Sequence, residues 1–392
     1  GREGASRSRG LWSLSLSARM LLSACSRLSP FVRGLSSRSG LPYRIRVPLS
    51  KLQEKKAHHP KGEVRLPALG DGEQLESMGS APDYVRLALT SRVYDMVSES
   101  PLQYAPGLSH RLSAHVHIKR EDLLPAFSYK VRGAFNVLDS IRREGASSVV
   151  TYSVGGQGLA VATAAAALGM KATVVLPERT PRQRRSQIER AGATVVIHGS
   201  GLEDAKREAQ RLARESEGEN IFVHLHDDVR VIAGNATVGL EIVRQHSAVL
   251  DEGVSKLKKR KVADGVKPEA QRGAAQALAS QTIDAIFICT GGGSLIAGVA
   301  AAVKQLMPNC KVIGVEQEDH NLLERSLLSG HRPKLAEPSH FVDGAAVQQL
   351  GSEVFRLCDD LVDDVVTVST DEICAAVRDC FEDTRAMLEP AG

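Results

Sequence analysis

Short apolar runs alternate with longer helical patterns from about Ala81 onwards, and a Gly, Pro or Asp follows each run before the next helix. The runs are rich in β-branched residues and span five to seven positions, a length typical of strands. Because they are apolar nearly throughout, both faces should be covered, as in parallel sheets flanked by helices. The predicted strands are 147–152, 171–176, 193–198, 221–225, 283–289, 311–316 and 364–368.

This alternation predicts an α/β, doubly wound architecture, in which sites form where loops leave the carboxyl ends of strands. The segments just after Tyr152, Leu225 and Cys289 are therefore candidate site regions. Residues 249–281 break the alternation with a Lys-, Ala-, Gly- and Gln-rich stretch that includes a basic cluster at 256–261. We interpret this stretch as a solvated surface insertion between a helix and the next strand; a nuclear-localisation signal is the alternative.

The formal net charge of +4 is distributed unevenly. Residues 1–62 carry 13 Lys and Arg against two acidic residues, and residues 255–273 carry seven against two. The rest of the chain holds 30 basic and 42 acidic residues, a net charge of −12 that argues against nucleic-acid binding. No apolar stretch reaches the length of a membrane span, so no membrane partner is expected.

The first fifty residues contain nine Arg, twelve Ser and one acidic residue, the composition of an organelle transit peptide. We therefore expect residues 1–62 to be a transit peptide and disordered linker that direct the chain to a mitochondrion or plastid. A disordered basic tail, or translated upstream sequence before Met20, is the alternative. The six cysteines show no ligand spacing, so neither a zinc site nor a disulfide framework is predicted.

Three elements carry candidate chemistry. Residues 290–295 form a glycine-rich turn between a strand and a helix, where backbone N–H groups can hold a phosphate, although many such turns need glycine only for packing. Lys130 has Phe127, Tyr129, Val131 and Phe135 near it in the sequence, which would make an ammonium costly and favour imine formation with an aldehyde. An ordinary surface lysine is the alternative. Residues 151–158 form a second glycine-containing turn that can close over a carboxylate.

Together, in their order along the chain, the three elements resemble the fold-type II pyridoxal-phosphate enzymes, and more narrowly the biosynthetic threonine dehydratases. The resemblance runs from about Tyr84 to the last residue and is collinear. Its matching segments include 84–86, 93–94, 100–103, 118–122, 128–134, 171–177, 231–237, 314–316, 343–347, 381–386 and 389–390.

The resemblance implies a two-domain architecture like that of the tryptophan synthase β chain. Residues 81–120 and 225–392 would form the large cofactor-binding domain, and residues 121–224 the small domain. The implied cofactor is pyridoxal 5'-phosphate, and the implied partners are a small amino-acid substrate and further copies of the chain. The implied cofactor-binding residues are Lys130, which is also catalytic, with Gly156, Gly291, Gly292, Gly293, Ser294 and Leu295. The implied substrate-binding residues are Ser153, Gly155 and Gln157, and no metal site is predicted, since the carboxylates at 316–319 should be solvated.

The implied reaction converts L-threonine to 2-oxobutanoate and ammonia, the first step of isoleucine biosynthesis. Alternatives are another fold-type II activity on L-serine, namely serine dehydratase or racemase, a β-replacing synthase, or a catalytically impaired cofactor-binding homologue. A nucleotide-binding dehydrogenase is disfavoured because no dinucleotide fingerprint is present.

The sequence departs from the family pattern at three places. Gly156 stands where the family has an Asn that contacts the ring hydroxyl of the cofactor, and losing such a bond costs about 1–3 kcal/mol. Ser294 replaces the fourth glycine of the phosphate turn. The sequence stops at residues 389–392, where the family continues into a Ser- and Gly-rich turn and a regulatory domain, so we expect the large domain to be C-terminally truncated.

Overall fold

Two parallel sheets lie at the centre of the fold in the computed structural model, which describes residues 81–224, 226–259, 282–335 and 341–392. Within these residues the strands are β1 (Leu102–Tyr104), β2 (His117–Lys119), β3 (Ser148–Tyr152), β4 (Lys171–Leu176), β5 (Thr194–Ile197), β6 (Asn220–Phe222), β7 (Ala285–Cys289), β8 (Lys311–Gln317) and β9 (Asp364–Val368). The four-stranded sheet has the order β5-β4-β3-β6, and the three-stranded sheet has the order β7-β8-β9.

Each of the seven predicted runs overlaps a strand, and the ends differ by no more than three residues. Every pairing in the two sheets is parallel, for example Ser148 opposite Lys171 and Ile313 opposite Asp364. The predicted α/β class with parallel sheets is therefore confirmed. Strand β6 ends early, although the N–H of Val223 still donates to the carbonyl of Val150 over 3.0 Å.

The periodicity did not predict the small antiparallel sheet of β1 and β2, in which Leu102 lies opposite Lys119. Each of these strands has three residues, too few to show an alternating pattern. The expectation that every strand is covered on both faces is wrong for β7. This strand lies at the edge of its sheet, and the side chain of Phe287 is 54% exposed.

Helices flank the sheets and connect successive parallel strands, as the hydrophobic pattern predicted. They are α1 (Tyr84–Leu89), α2 (Pro106–Leu112), α3 (Lys130–Arg143), α4 (Gly156–Ala167), α5 (Arg182–Arg190), α6 (Leu202–Glu215), α7 (Val229–Lys259), α8 (Ser294–Leu306), α9 (Leu322–Ser329), α10 (Ser352–Leu361) and α11 (Thr370–Thr384). None of the helices in the described ranges is both long and apolar enough to cross a membrane.

Helix α7 has 31 residues and continues into the segment predicted to be a surface insertion, 249–281. The first part of that segment is thus the end of a helix, while 260–281 lies outside the described residues. The predicted transit peptide and linker, 1–62, also lies outside them.

Buried apolar side chains form two main cores, one at each large sheet. The core at the three-stranded sheet includes Ile296 and Leu323, and the core at the four-stranded sheet includes Leu138. Val93 and Val97 belong to the second core, although the predicted boundaries assign residues 81–120 to the large domain. Those boundaries remain predictions.

Candidate functional site

Lys130 is the first residue of α3 and follows a turn with an unusual backbone. Ala126 and Phe127 have φ values of 61° and 53°, a region that residues other than glycine rarely occupy. Conformations of this kind persist where the surrounding structure fixes them, and they cluster at functional sites. The turn brings Lys130 into the cleft between the sheets, where it lines two adjoining cavities.

The surroundings of Lys130 differ from the hydrophobic enclosure expected from the sequence. Its Nζ lies 5.3 Å from the centroid of the Tyr129 ring. However, Phe127 is 78% exposed, and Val131 and Phe135 belong to the core at the four-stranded sheet. That expectation is wrong because the helix directs Val131 and Phe135 away from the cleft, and the amine of Lys130 faces two loops instead.

The predicted phosphate turn joins β7 to α8. Among the described residues, no hydrogen bond uses the backbone N–H groups of Gly291, Gly292, Gly293, Ser294 or Leu295. A Cβ at Gly291 would lie 2.6 Å from Cα of Ala345, so only glycine fits there. Unpaired N–H groups at the start of a helix form an anion site, which is the arrangement that a phosphate requires.

The second predicted turn joins β3 to α4 and is organised by Ser153. The hydroxyl of this buried serine accepts hydrogen bonds from the N–H groups of Gly155 and Gly158, each over 2.9 Å. Gly156 lies beside the lysine, since a Cβ at that position would be 3.9 Å from Nζ of Lys130. The backbone N–H groups of Gly156 and Gln157 have no partner among the described residues and are available to a carboxylate.

The structure brings most of the predicted site residues together. Seven of them line one or both cavities, namely Lys130, Ser153, Gly156, Gln157, Gly291, Gly292 and Ser294. Three others, Gly155, Gly293 and Leu295, lie in the same turns but do not line either cavity. The residues named as site residues therefore converge on Lys130; their functional roles stay predictions.

Several lining residues were not named as site residues in the sequence, among them Arg184, His226, Asn235, Asp343 and Gly344. Two signals pointed near them. His226 follows the predicted strand end at 225, which was marked as a candidate region, and Asn235, Asp343 and Gly344 lie in segments that match the family.

Arg184 connects the substrate turn to the loop that carries Asp343. Its Nη1 lies 2.9 Å from Oδ2 of Asp343, and the guanidinium packs closely against Gly155. The same Nη1 donates to the carbonyl of Val154 over 3.4 Å, and Glu389 lies 4.0 Å from Nη2. Because Arg184 comes from α5 and Asp343 from a loop before α10, this ion pair spans the cleft over one cavity.

His226 packs between the phosphate turn and Lys130. Its ring lies against Gly292 and has its centroid 6.0 Å from that of His224. Burial, reinforced by the neighbouring charges of His224 and Lys130, lowers the pKa of His226 to about 3. The imidazole is therefore neutral near pH 7, and it adds no positive charge beside the amine.

A comparison with known protein families shows to which family the chain belongs. Residues 93–256 and 262–392 match the family described as "Pyridoxal-phosphate dependent enzyme". The chain belongs to this family. The resemblance inferred from the three sequence elements is thereby confirmed, together with pyridoxal phosphate as the cofactor.

Individual members of the pyridoxal-phosphate dependent enzymes are similar to this chain over most of its length. "Threonine dehydratase, mitochondrial" of Schizosaccharomyces pombe is 41% identical over 312 residues, which cover 79% of this chain and 46% of that protein. "Threonine dehydratase 1 biosynthetic, chloroplastic" of Solanum lycopersicum is 40% identical over 311 residues, with coverages of 79% and 46%. The chain thus spans about half the length of these relatives.

Solved structures of other proteins have the same fold. The processed form of threonine deaminase isoform 2 from Solanum lycopersicum gives a TM-score of 0.67 at 35% identity, covering 83% of this chain and 87% of that chain. Maize serine racemase gives a TM-score of 0.66 at 24% identity, covering 79% and 83%, and shows the fold alone.

The residues present fit two polar groups of the family cofactor, its phosphate and its aldehyde. The five unpaired N–H groups of the phosphate turn suit its phosphate, and the amine of Lys130 suits its aldehyde. Gly156 offers no side chain to the ring hydroxyl, which the family Asn contacts. The buried carbonyl oxygen of the Asn235 side chain, which has no hydrogen-bond partner among the described residues, is a further polar group in this cavity.

The acidic residues at 316–319 do not all behave as expected. Glu316 is buried, not solvated, because its carboxylate accepts the N–H groups of Leu323 and Glu324 at the start of α9, over 2.8 and 3.0 Å. Burial raises the pKa of Glu316 to about 7 even though these bonds oppose the shift. The described part of the chain contains no group of three potential metal ligands.

Proposed function

We propose that this chain is a dehydratase that converts L-threonine to 2-oxobutanoate and ammonia, the first step of isoleucine biosynthesis. One observation carries the proposal. Lys130 lines both cavities, so a single amine lies between the phosphate turn and the turn available to a substrate carboxylate. The identity of about 40% to threonine dehydratases supports L-threonine as the substrate.

The residues of the chain have separate roles in this reaction. When bound, pyridoxal phosphate supplies an electron sink for the electron pair left at Cα of the amino acid. The N–H groups of Gly156 and Gln157 hold the substrate carboxylate, and Nζ of Lys130 removes the Cα proton. The β-hydroxyl leaves with a proton as water, and the released enamine tautomerises and reacts with water to give the 2-oxo acid and ammonia.

A direct assay tests the proposal. The chain, with and without added pyridoxal phosphate, is supplied with L-threonine or L-serine, and the 2-oxo acid is quantified. We expect 2-oxobutanoate from L-threonine, and loss of both the product and the visible absorbance band of the bound cofactor in Lys130→Ala. Lys171→Ala, at an exposed lysine at the start of β4, is the matched control and should keep both. Product formation by Lys130→Ala would contradict the assigned role.

A second candidate function, a catalytically impaired cofactor-binding homologue, is favoured by Gly156. This function would be supported if the cofactor absorbance band is present and depends on Lys130, but neither L-threonine nor L-serine gives a 2-oxo acid. Activity confined to L-serine would instead indicate a serine dehydratase, and interconversion of L- and D-serine would indicate a racemase.

The location and assembly of the chain are part of the same proposal. Residues 1–62 direct it to a mitochondrion or plastid, in line with the mitochondrial and chloroplastic relatives. A fluorescent protein carrying residues 1–62 should enter an organelle, and a version with every Arg replaced by Gln should not. We also propose a homo-oligomer without nucleic-acid or membrane partners, which light scattering of the purified chain tests.

A further inference from the structure

We propose that the hydroxyl group of Ser294 donates a hydrogen bond to the cofactor phosphate and that Asn235 orients it for this contact. Ser294 stands where the threonine dehydratases that the chain resembles have the fourth glycine of the phosphate turn. Its side chain therefore adds a hydrogen-bond donor to those that the backbone supplies. The inference rests on the binding of pyridoxal phosphate at Lys130.

The two residues form a buried pair beside the phosphate turn. Nδ2 of Asn235 donates to Oγ of Ser294 over 3.2 Å, and the two residues are 1% and 6% exposed. Both line the cavity that also contains Lys130, Gly291 and Gly292. Ser294 is therefore a buried lining residue of the cofactor cavity.

The hydrogen-bond inventory of Ser294 leaves one donor unused. A hydroxyl has one O–H donor and two acceptor lone pairs, and the amide of Asn235 occupies an acceptor position. Among the described residues, no acceptor receives the O–H of Ser294. A buried donor without a partner is costly, and an anionic phosphate oxygen is a strong acceptor for it.

Packing fixes the side chain of Asn235 between two helices. A Cβ at Gly133, on α3, would lie 3.0 Å from Oδ1 of Asn235, so α3 is in close contact on that side, while Ser294 begins α8 on the other. This contact limits movement of the amide, and in the observed orientation its donor is directed at the serine oxygen. The O–H of the serine is then left to the phosphate, which makes Asn235 a positioning residue.

Paired titrations with pyridoxal phosphate and with pyridoxal, which lacks the phosphate, isolate this contact. Visible absorbance gives both dissociation constants in the chain and its variants. Ser294→Ala should weaken binding of pyridoxal phosphate by about tenfold and change that of pyridoxal by less than about twofold. Ser326→Ala removes a buried hydroxyl that donates to the carbonyl of Leu322 and lines neither cavity, so it should leave the ratio of the two constants unchanged.

A double-mutant comparison tests the role of Asn235. Asn235→Ala should also weaken binding of the phosphorylated form selectively, and the double variant should bind it no more weakly than Ser294→Ala alone, because both changes remove one contact. Additive losses would overturn the positioning role.

An unchanged ratio of the two dissociation constants in Ser294→Ala, with normal binding by the unmodified chain, overturns the proposal and leaves the cofactor assignment intact. Failure of the unmodified chain to bind pyridoxal phosphate overturns both.

Discussion

The guanidinium of Arg132 is completely buried and forms an ion pair with the buried carboxylate of Glu241, with 2.5 Å between Nη1 and Oε1. Nε of Arg132 also lies 2.8 Å from Oε2 of Glu121, and Nζ of Lys119 lies 2.5 Å from Oε2 of Glu241. Two cations thus balance two carboxylates. The network ties α3, two residues beyond Lys130, to α7 and to the end of β2.

Replacing Glu241 by Gln should destabilise the fold strongly, because it leaves the buried charge of Arg132 poorly compensated. Removing one partner of a buried ion pair costs about 3–5 kcal/mol of unfolding free energy. Urea denaturation measures this loss. Glu215→Gln, at an exposed residue paired with Arg211, is the control and should cost less than about 1 kcal/mol. Equal losses for the two variants would show that the buried network contributes no special stability.

The carboxylate of Glu241 should also make the stability of the fold depend on pH. Burial tends to raise the pKa of Glu241, but the hydrogen bonds and charges of Arg132 and Lys119 outweigh burial and hold it below its ordinary value. A carboxyl whose pKa is lowered by folding contributes stability above its unfolded pKa of about 4.3, and this contribution is lost as pH falls through the folded pKa.

The difference in unfolding free energy between the unmodified chain and Glu241→Gln should therefore have its largest value near neutral pH and decrease below about pH 4. Chemical denaturation at several pH values measures it. A difference that stays constant down to pH 3 would contradict the lowered pKa.

Close contact between α3 and α7 makes Gly234 sensitive to substitution. A Cβ there would lie 2.7 Å from the carbonyl oxygen of Arg132, a backbone atom that cannot move away without shifting the helix. Gly234→Ala should lower the unfolding free energy by about 1–3 kcal/mol and weaken cofactor binding, since α3 carries Lys130. Gly201→Ala, where a Cβ meets nothing within 4 Å, is the control and should stay within about 0.5 kcal/mol. Comparable losses in both would indicate a general effect of alanine.

Hydrophobic periodicity was sufficient to predict the parallel strands, because a strand buried between helices is apolar over most of its length. The same reasoning missed β1 and β2, and it failed at Phe287, because the coverage of a side chain depends on which strand becomes the edge of a sheet. That depends on the order of the strands, which no local pattern specifies.

The candidate site was predictable only in part. Lys130 and the two turns were identified through motifs in which chemistry and local sequence coincide. The pairing of Arg184 with Asp343 joins residues far apart in the chain, and the packing of His226 on Gly292 depends on how a loop folds over the turn. Contacts of this kind arise from tertiary structure, so neither the composition nor the spacing of these residues predicts them.

Gly156 provides a direct test of whether the missing family side chain limits activity. A Cβ at this position, in the first turn of α4, would meet only Nζ of Lys130, at 3.9 Å, so a Cβ can be added there without a clash. Gly156→Asn should restore an amide that reaches the ring hydroxyl of the cofactor. One such hydrogen bond is equivalent to about 1–3 kcal/mol, which corresponds to tighter cofactor binding or faster 2-oxo acid formation by about five- to 150-fold. Gly156→Ala adds bulk without the amide and separates the two effects. If the Ala and Asn variants behave alike, the absent amide does not limit this chain; a gain confined to the Asn variant would show that the missing amide at this one position weakens cofactor binding or catalysis.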